Sequence, residues 1–145
     1  MEVQTTRFGR VEFAAEDIFR FPEGLPGLAD CGEWVILVEG NESTVAWMQS
    51  IQRPEISLAV VRPRRFVPGY RLRVARRELE PLKLDSPKAT LLLAIVTKTK
   101  RALALNLRAP VVINLDRRLG RQVTACGNLP LQHELEITPT LKKTA

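Results

Sequence analysis

The chain predicts a mainly β protein: a small antiparallel β-barrel or sandwich-like single domain with about one short helix near residues 75–82. Three observations lead there. Short apolar runs, several alternating polar with apolar, recur at intervals marked by Gly, Pro, Asn or Asp. Only Ala75-Arg76-Arg77-Glu78-Leu79-Glu80 combines good helix formers with no strand period. A length of 145 residues, 45% hydrophobic and 26% charged, suits one packed core of ordinary size. The domain is placed at residues 1–136, and a frayed tail at 137–145, where apolar density has fallen away.

The first residues read as a hairpin: Glu2 to Thr6 alternates weakly, Phe8-Gly9 marks a turn, and Val11 to Phe13 resumes. Asp17 to Phe21 alternates and runs into a loop rich in proline and glycine. Trp34 to Val38 and Val45 to Ile51 form a second predicted hairpin across Glu39-Gly40-Asn41-Glu42. Trp34 and Trp47 are assigned to the core, Met48 to filling it, and Gln49 and Ser50 to solvent. Ile56 to Val61 is a short strand interrupted by Pro63, and Arg71-Leu72-Arg73-Val74 reads as a half-exposed strand with both arginines on one face. The helical segment is stopped by Pro81, lacks a polar N-cap and carries arginines in its first turn against the macrodipole. Packing must therefore hold it. Thr90 to Thr97 is expected to be the most buried strand, being too short between turn signals for an ordinary helix. Ala102 to Leu107, Val111 to Leu115 and Arg121 to Ala125 follow, the last two joined across a turn whose positive φ is assigned to Gly120.

Several functions find no residues to support them. Cys31 and Cys126 are far apart and belong to no second pair, which is neither a zinc pattern nor a disulfide framework; both read as reduced, partly buried thiols. His133 is the only histidine, too little for a histidine-centred metal site or a Ser-His-Asp arrangement. No phosphate-binding loop or dinucleotide fingerprint is present, since no helix follows Gly24 and Gly27. No catalytic residue, metal or cofactor is assigned, and the protein is not expected to be an enzyme. No apolar run approaches the roughly 18 residues of a membrane span. Met1 to Thr6 shows no secretory signal, and a cytoplasmic protein is expected.

Charge gives the strongest signal. The formal net charge is +6, and Arg62, Arg64, Arg65, Arg71, Arg73, Arg76 and Arg77 crowd into one short span. The first third carries nine carboxylates, from Glu2 to Glu42, against three arginines. Such a basic patch fits an RNA backbone, an acidic protein surface or simply a solvated face. Phe66 and Tyr70 lie within it, as stacking groups would on a single-strand platform.

The loop Phe21-Pro22-Glu23-Gly24-Leu25-Pro26-Gly27 has its backbone specified: prolines fix φ, and glycines accept positive φ. Phe21 and Leu25 are expected to point inward. The loop reads either as a rigid cap on one end of a barrel or as a preformed binding edge. Pro22, Gly24, Leu25 and Gly27 are candidate partner contacts, with Asn106 and Asn114 flanking the apolar run further on. Against that, Gly and Pro fix turns anyway, and asparagines at strand ends often bond the backbone.

Taken together, Thr6-Arg7-Phe8-Gly9, Phe21 to Gly27, Trp47-Met48-Gln49-Ser50, Leu93 to Thr97, Asn106 to Asn114 and Gly120-Arg121-Gln122-Val123 resemble the flagellar assembly factor FliW family. The similarity runs in order from Thr6 to His133. It implies a cytoplasmic, non-enzymatic β protein with two partners, flagellin and the RNA-binding translational regulator CsrA. Family members antagonise CsrA when flagellin has been exported, and release it when flagellin accumulates and occupies them. That partner switch requires competing or negatively coupled binding. Many relatives are acidic where this chain has Arg62 to Arg71, so repulsion of RNA phosphates by that segment is not expected here. Direct RNA binding through the arginine cluster is the alternative.

Overall fold

A computed structural model describes residues 1–38 and 44–135. The expected turn at 39–42 and the tail at 137–145 lie outside the described residues. The strands are β1 (Glu2–Thr5), β2 (Gly9–Glu12), β3 (Phe19–Arg20), β4 (Glu33–Val38), β5 (Val45–Ser50) and β6 (Ser57–Val61), followed by β7 (Thr90–Lys98), β8 (Leu103–Leu105), β9 (Val111–Asn114), β10 (Leu119–Gln122) and β11 (His133–Glu134). The helix α1 (Arg76–Leu79) continues as a 3-10 turn over Glu80–Leu82, on the predicted segment.

Seven strands close a barrel in the order β7-β6-β5-β4-β3-β10-β9, because β9 pairs back onto β7 with Leu91 opposite Ile113. Every pairing is antiparallel except that of β10 with β3, where Leu119 meets Arg20 in parallel. The far end of β7 leaves the barrel to pair with β8, which pairs in turn with β11. Alternation sends Phe19, Trp34, Met48, Val60, Leu93, Val111 and Ile113 into one interior cluster. The barrel is filled with side chains.

Two outer layers clothe it. The hairpin β1–β2 lies over β5 and β6: the Phe8 ring packs edge-on to Trp47 at 5.6 Å, the Arg7 guanidinium sits 4.4 Å over the same indole, and Arg7 Nε donates to Ser57 Oγ. Trp47 therefore belongs to the outer face, whereas Trp34 is wholly enclosed. The solvent assignment of Gln49 and Ser50 is also overturned, Gln49 lying on the covered outer face with Trp47 and Ser50 on the inward side opposite Trp34. Both are fully buried, and the Gln49 amide donates to the Ser50 and Pro54 carbonyls.

The second layer is the segment from Pro63 to Leu84. Leu82 joins Val112 and Val123 in a separate cluster, with Leu72, Val74, Leu79 and Leu92 packed against it. No side chain caps α1 at Ala75, so this apolar underside holds the helix, as the missing cap requires. Arg71 to Val74 keeps its alternation of exposed and half-buried residues without joining a sheet. It lies as cladding, and exposure alternates because one side rests on the barrel.

Three further expectations change. β9, buried at all four positions, is the most buried strand; β7 has only Leu93 and Ala94 buried, because its last residues leave the barrel. β10 starts at Leu119, and its continuation to Ala125 runs beside Arg108 and Pro110, with Val123 and Ala125 donating to their carbonyls. Cys31 is buried, but Cys126, whose amide donates to Arg73 O, has an exposed side chain.

Candidate functional site

The loop after β3 is built by two consecutive turns. Gly24 N–H donates to Phe21 O at 2.8 Å with Pro22 in the second position of the turn. Leu25 and Leu28 then exchange two backbone hydrogen bonds around Pro26 and Gly27, whose φ of 78° is that of a type II turn's third residue. Gly24, at φ 64°, is doubly constrained, because a Cβ there would strike the Leu28 carbonyl and Ala29. Phe21 is 1% exposed and Leu25 3%, both in the interior cluster. Burying each stabilises the fold by about 1.5–3 kcal/mol. Pro22, Glu23, Pro26 and Gly27 stay on the surface, so the loop stoppers the barrel and offers only its rim.

Gly120 explains itself here. Its expected place at a positive φ is taken by Arg118, at 55°, whose guanidinium lies 4.6 Å over the Phe19 ring. Gly120 sits inside β10, where a Cβ would fall on the Phe21 ring. The glycine makes room for the stopper.

Arg121 ties this loop to the helix. Its Nε meets Glu23 at 2.9 Å and its Nη1 meets Glu78 at 2.9 Å, while the other Glu78 oxygen accepts from Thr124 N–H. Nothing in the sequence joins these three residues, because they come from segments far apart along the chain.

The two asparagines are structural in their visible contacts. Asn114, 2% exposed, donates to the carbonyls of Leu82 and Lys83 and accepts from the amides of Asp116 and Arg117. It fastens the 3-10 turn to β9 and closes the β9–β10 loop. Asn106 Oδ1 accepts from the amides of Arg108 and Ala109, an Asx turn at the end of β8. No hydrogen bond joins either asparagine to the proline-glycine loop among the described residues.

All seven clustered arginines are exposed, and among the described residues none lies within 4 Å of a carboxylate. Glu2, Glu12, Glu23 and Asp30, by contrast, each have an arginine within that distance. Residues 62 to 77 therefore hold a dense run of arginines without an ion pair among the described residues. Pro63 is buried and starts a 3-10 turn that carries Arg64 and Arg65 outward. Arg64 Nε donates to the Tyr70 carbonyl, and the Tyr70 hydroxyl donates to Leu107 O at 2.9 Å. Tyr70 is 4% exposed, and burial pushes its phenol above the ordinary range. Its ring is not available for stacking, which leaves Phe66, 39% exposed, as the cluster's accessible aromatic.

Beside these arginines runs an open groove of about 940 Å³. Leu72, Leu79, Leu84, Leu92, Val112 and Leu115 supply apolar walls, and Arg62, Arg64, Arg65 and Lys88 supply cations. The apolar lining was invisible in sequence because it combines β7, β9 and the cladding. Among the described residues no group of three His, Cys, Asp or Glu is placed to hold a metal, and no helix is long and apolar enough to cross a membrane.

Comparison with known proteins places this arrangement. Residues 2–135 match the sequence profile of the FliW protein family. A flagellar assembly factor FliW of Bdellovibrio bacteriovorus is 38% identical over 130 residues, covering 88% of this chain and 74% of that protein. One from Moorella thermoacetica is 34% identical over 131 residues, covering 88% and 82%. A crystal structure of the flagellar assembly factor FliW superposes with a TM-score of 0.86 at 28% identity, covering 96% of this chain and 99% of that one. The chain belongs to the FliW family of flagellar assembly factors.

Proposed function

We propose that this protein works in the cytoplasm as a non-enzymatic, single-domain partner switch over residues 1–136, binding flagellin and antagonising a CsrA-type regulator of flagellin translation. Family membership over residues 2–135 carries the reading. The architecture agrees with it: a barrel filled by side chains leaves recognition to the outer surface. The exposed rim of the proline-glycine loop, Pro22 and Gly27 above all, is held rigid by its turns and suits a contact edge that loses little entropy on binding. Gly24 and Leu25 support that rim from beneath, while Asn114 and Asn106 act at a distance from it, Asn114 by fastening the 80–82 turn to β9 and Asn106 by shaping the loop after β8. The test is co-purification with the organism's own CsrA and flagellin, singly and in competition, at two salt concentrations. Each partner should bind, and flagellin should displace CsrA. Absence of both complexes would sink the proposal.

A second reading, direct RNA binding, is favoured by the seven exposed arginines, none of which meets a carboxylate among the described residues. Its signature is an affinity that falls steeply with salt and disappears on replacing Arg64, Arg65, Arg71 and Arg73 by Ala.

A further inference from the structure

The groove between the arginine-rich cladding and the barrel has a composition that neither a solvated face nor an RNA platform explains. Its walls are leucines and a valine from three elements, and Leu115 at its edge is 37% exposed. Such apolar surface is costly in water unless something covers it. Four cations, Arg62, Arg64, Arg65 and Lys88, line it. None of them meets a carboxylate among the described residues, and Asp85, which lines the same groove, lies 3.8 Å from Arg117. The backbone beneath three of these cations is fixed, and one side chain is tethered. Arg62 to Phe66 is a hydrogen-bonded 3-10 turn started by buried Pro63, and Arg64 is tethered through Nε to Tyr70 O, while its two terminal nitrogens bond to no other described residue.

We propose that this groove docks an acidic amphipathic segment of a partner protein, its apolar face against Leu72, Leu79, Leu92 and Leu115 and its carboxylates on Arg62, Arg64, Arg65 and Lys88. The apolar walls supply the favourable burial, and the arginine forks set orientation by pairing carboxylates in two-pronged fashion. RNA would use the cations but gain little from walls of leucine. The proposal rests on the reading that the protein acts by binding other proteins, and names where one of them sits.

The probe is a fluorescent synthetic peptide of about four helical turns, with leucines along one face and glutamates flanking them. A scrambled peptide of the same composition and a single-stranded oligouridine serve as comparisons. Wild type should bind the amphipathic peptide and not the scramble, with affinity that declines moderately with salt. The variant Arg62→Glu/Arg64→Glu/Arg65→Glu should weaken binding roughly tenfold or more, and Leu115→Ser should weaken it independently. Arg73→Glu/Arg77→Glu, outside the groove lining, should leave it unchanged. Equal binding of the scramble, loss of affinity in the Arg73/Arg77 variant equal to that in the triple variant, or displacement of the peptide by oligouridine would each overturn the proposal. Should peptide binding fail while flagellin and CsrA still co-purify with the wild-type protein, the groove assignment falls and the partner switch stands.

Discussion

Replacing Gly120 by Ala should destabilise the protein although it adds one methyl group to a strand whose backbone accepts any residue. The added Cβ falls on the Phe21 ring, and that ring has nowhere to go. It is 1% exposed, packs edge-on against Trp34 with centroids 6.4 Å apart, and follows a strand fixed by pairing on both sides. Overpacking of this kind costs about 1–3 kcal/mol. Restricting the unfolded chain returns about 0.4–1 kcal/mol. The net loss is therefore about 1–2 kcal/mol, or roughly 3–6 °C in Tm for a chain of this size. Urea unfolding of Gly120→Ala beside Gly69→Ala is the assay, since a Cβ at Gly69 meets nothing within 4 Å and should be neutral or slightly stabilising. Phe21→Leu completes a double-mutant cycle: the smaller side chain makes room, so the double variant should be more stable than the sum of the singles by at least about 0.5 kcal/mol. Equal stability of the two alanine variants, or strict additivity in the cycle, would refute the claim that Gly120 exists to seat Phe21.

Two further outcomes are expected. Tyr70→Phe leaves the buried Leu107 carbonyl without its hydroxyl donor and should cost about 1–2 kcal/mol in urea unfolding at neutral pH. The buried phenol's raised pKa means that its contribution is complete below the unfolded value of about 10 and is lost as pH rises through the folded value. Wild type should thus lose stability relative to Tyr70→Phe at alkaline pH; because Tyr70 is the chain's only tyrosine, tyrosinate absorbance reports it alone, and titration at or below the ordinary value would contradict the geometry. Asn114→Ala strips four hydrogen bonds and leaves the Leu82 and Lys83 carbonyls unpaired, at about 2–3 kcal/mol. Hydrogen exchange should show the 80–83 turn opening with it; a loss under about 1 kcal/mol would argue that the turn is held by packing alone.

Much of the barrel was legible strand by strand. β4 through β7 fall within a residue of their predicted bounds, because each is a β-branched or aromatic run between turn residues. The proline-glycine loop was legible in detail as well, since φ restrictions act locally and Gly24 and Gly27 take the positive φ assigned to them. Errors came where a second layer covers an outward face. Gln49 shares the outward face of β5 with Trp47 yet is buried, while Ser50, opposite Trp34, is a polar residue on the inward face. β11 went unseen because it is two residues long and pairs only with the short β8. The helix was found from its residue types, but what it packs against was not.

Local chemistry thus decided the strands, the single helical segment, the stoppering loop and the concentration of arginines, because alternation, φ restriction and charge are written in adjacent residues. Closure, cladding and the groove were settled by long-range packing. The return of β9 onto β7, the seating of Phe21 over Gly120, the Glu23-Arg121-Glu78 bridge and the leucine walls beside Arg62 to Arg65 each join segments far apart along the chain. One sequence carries no record of such meetings, since the interactions that select them arise only once the barrel has formed.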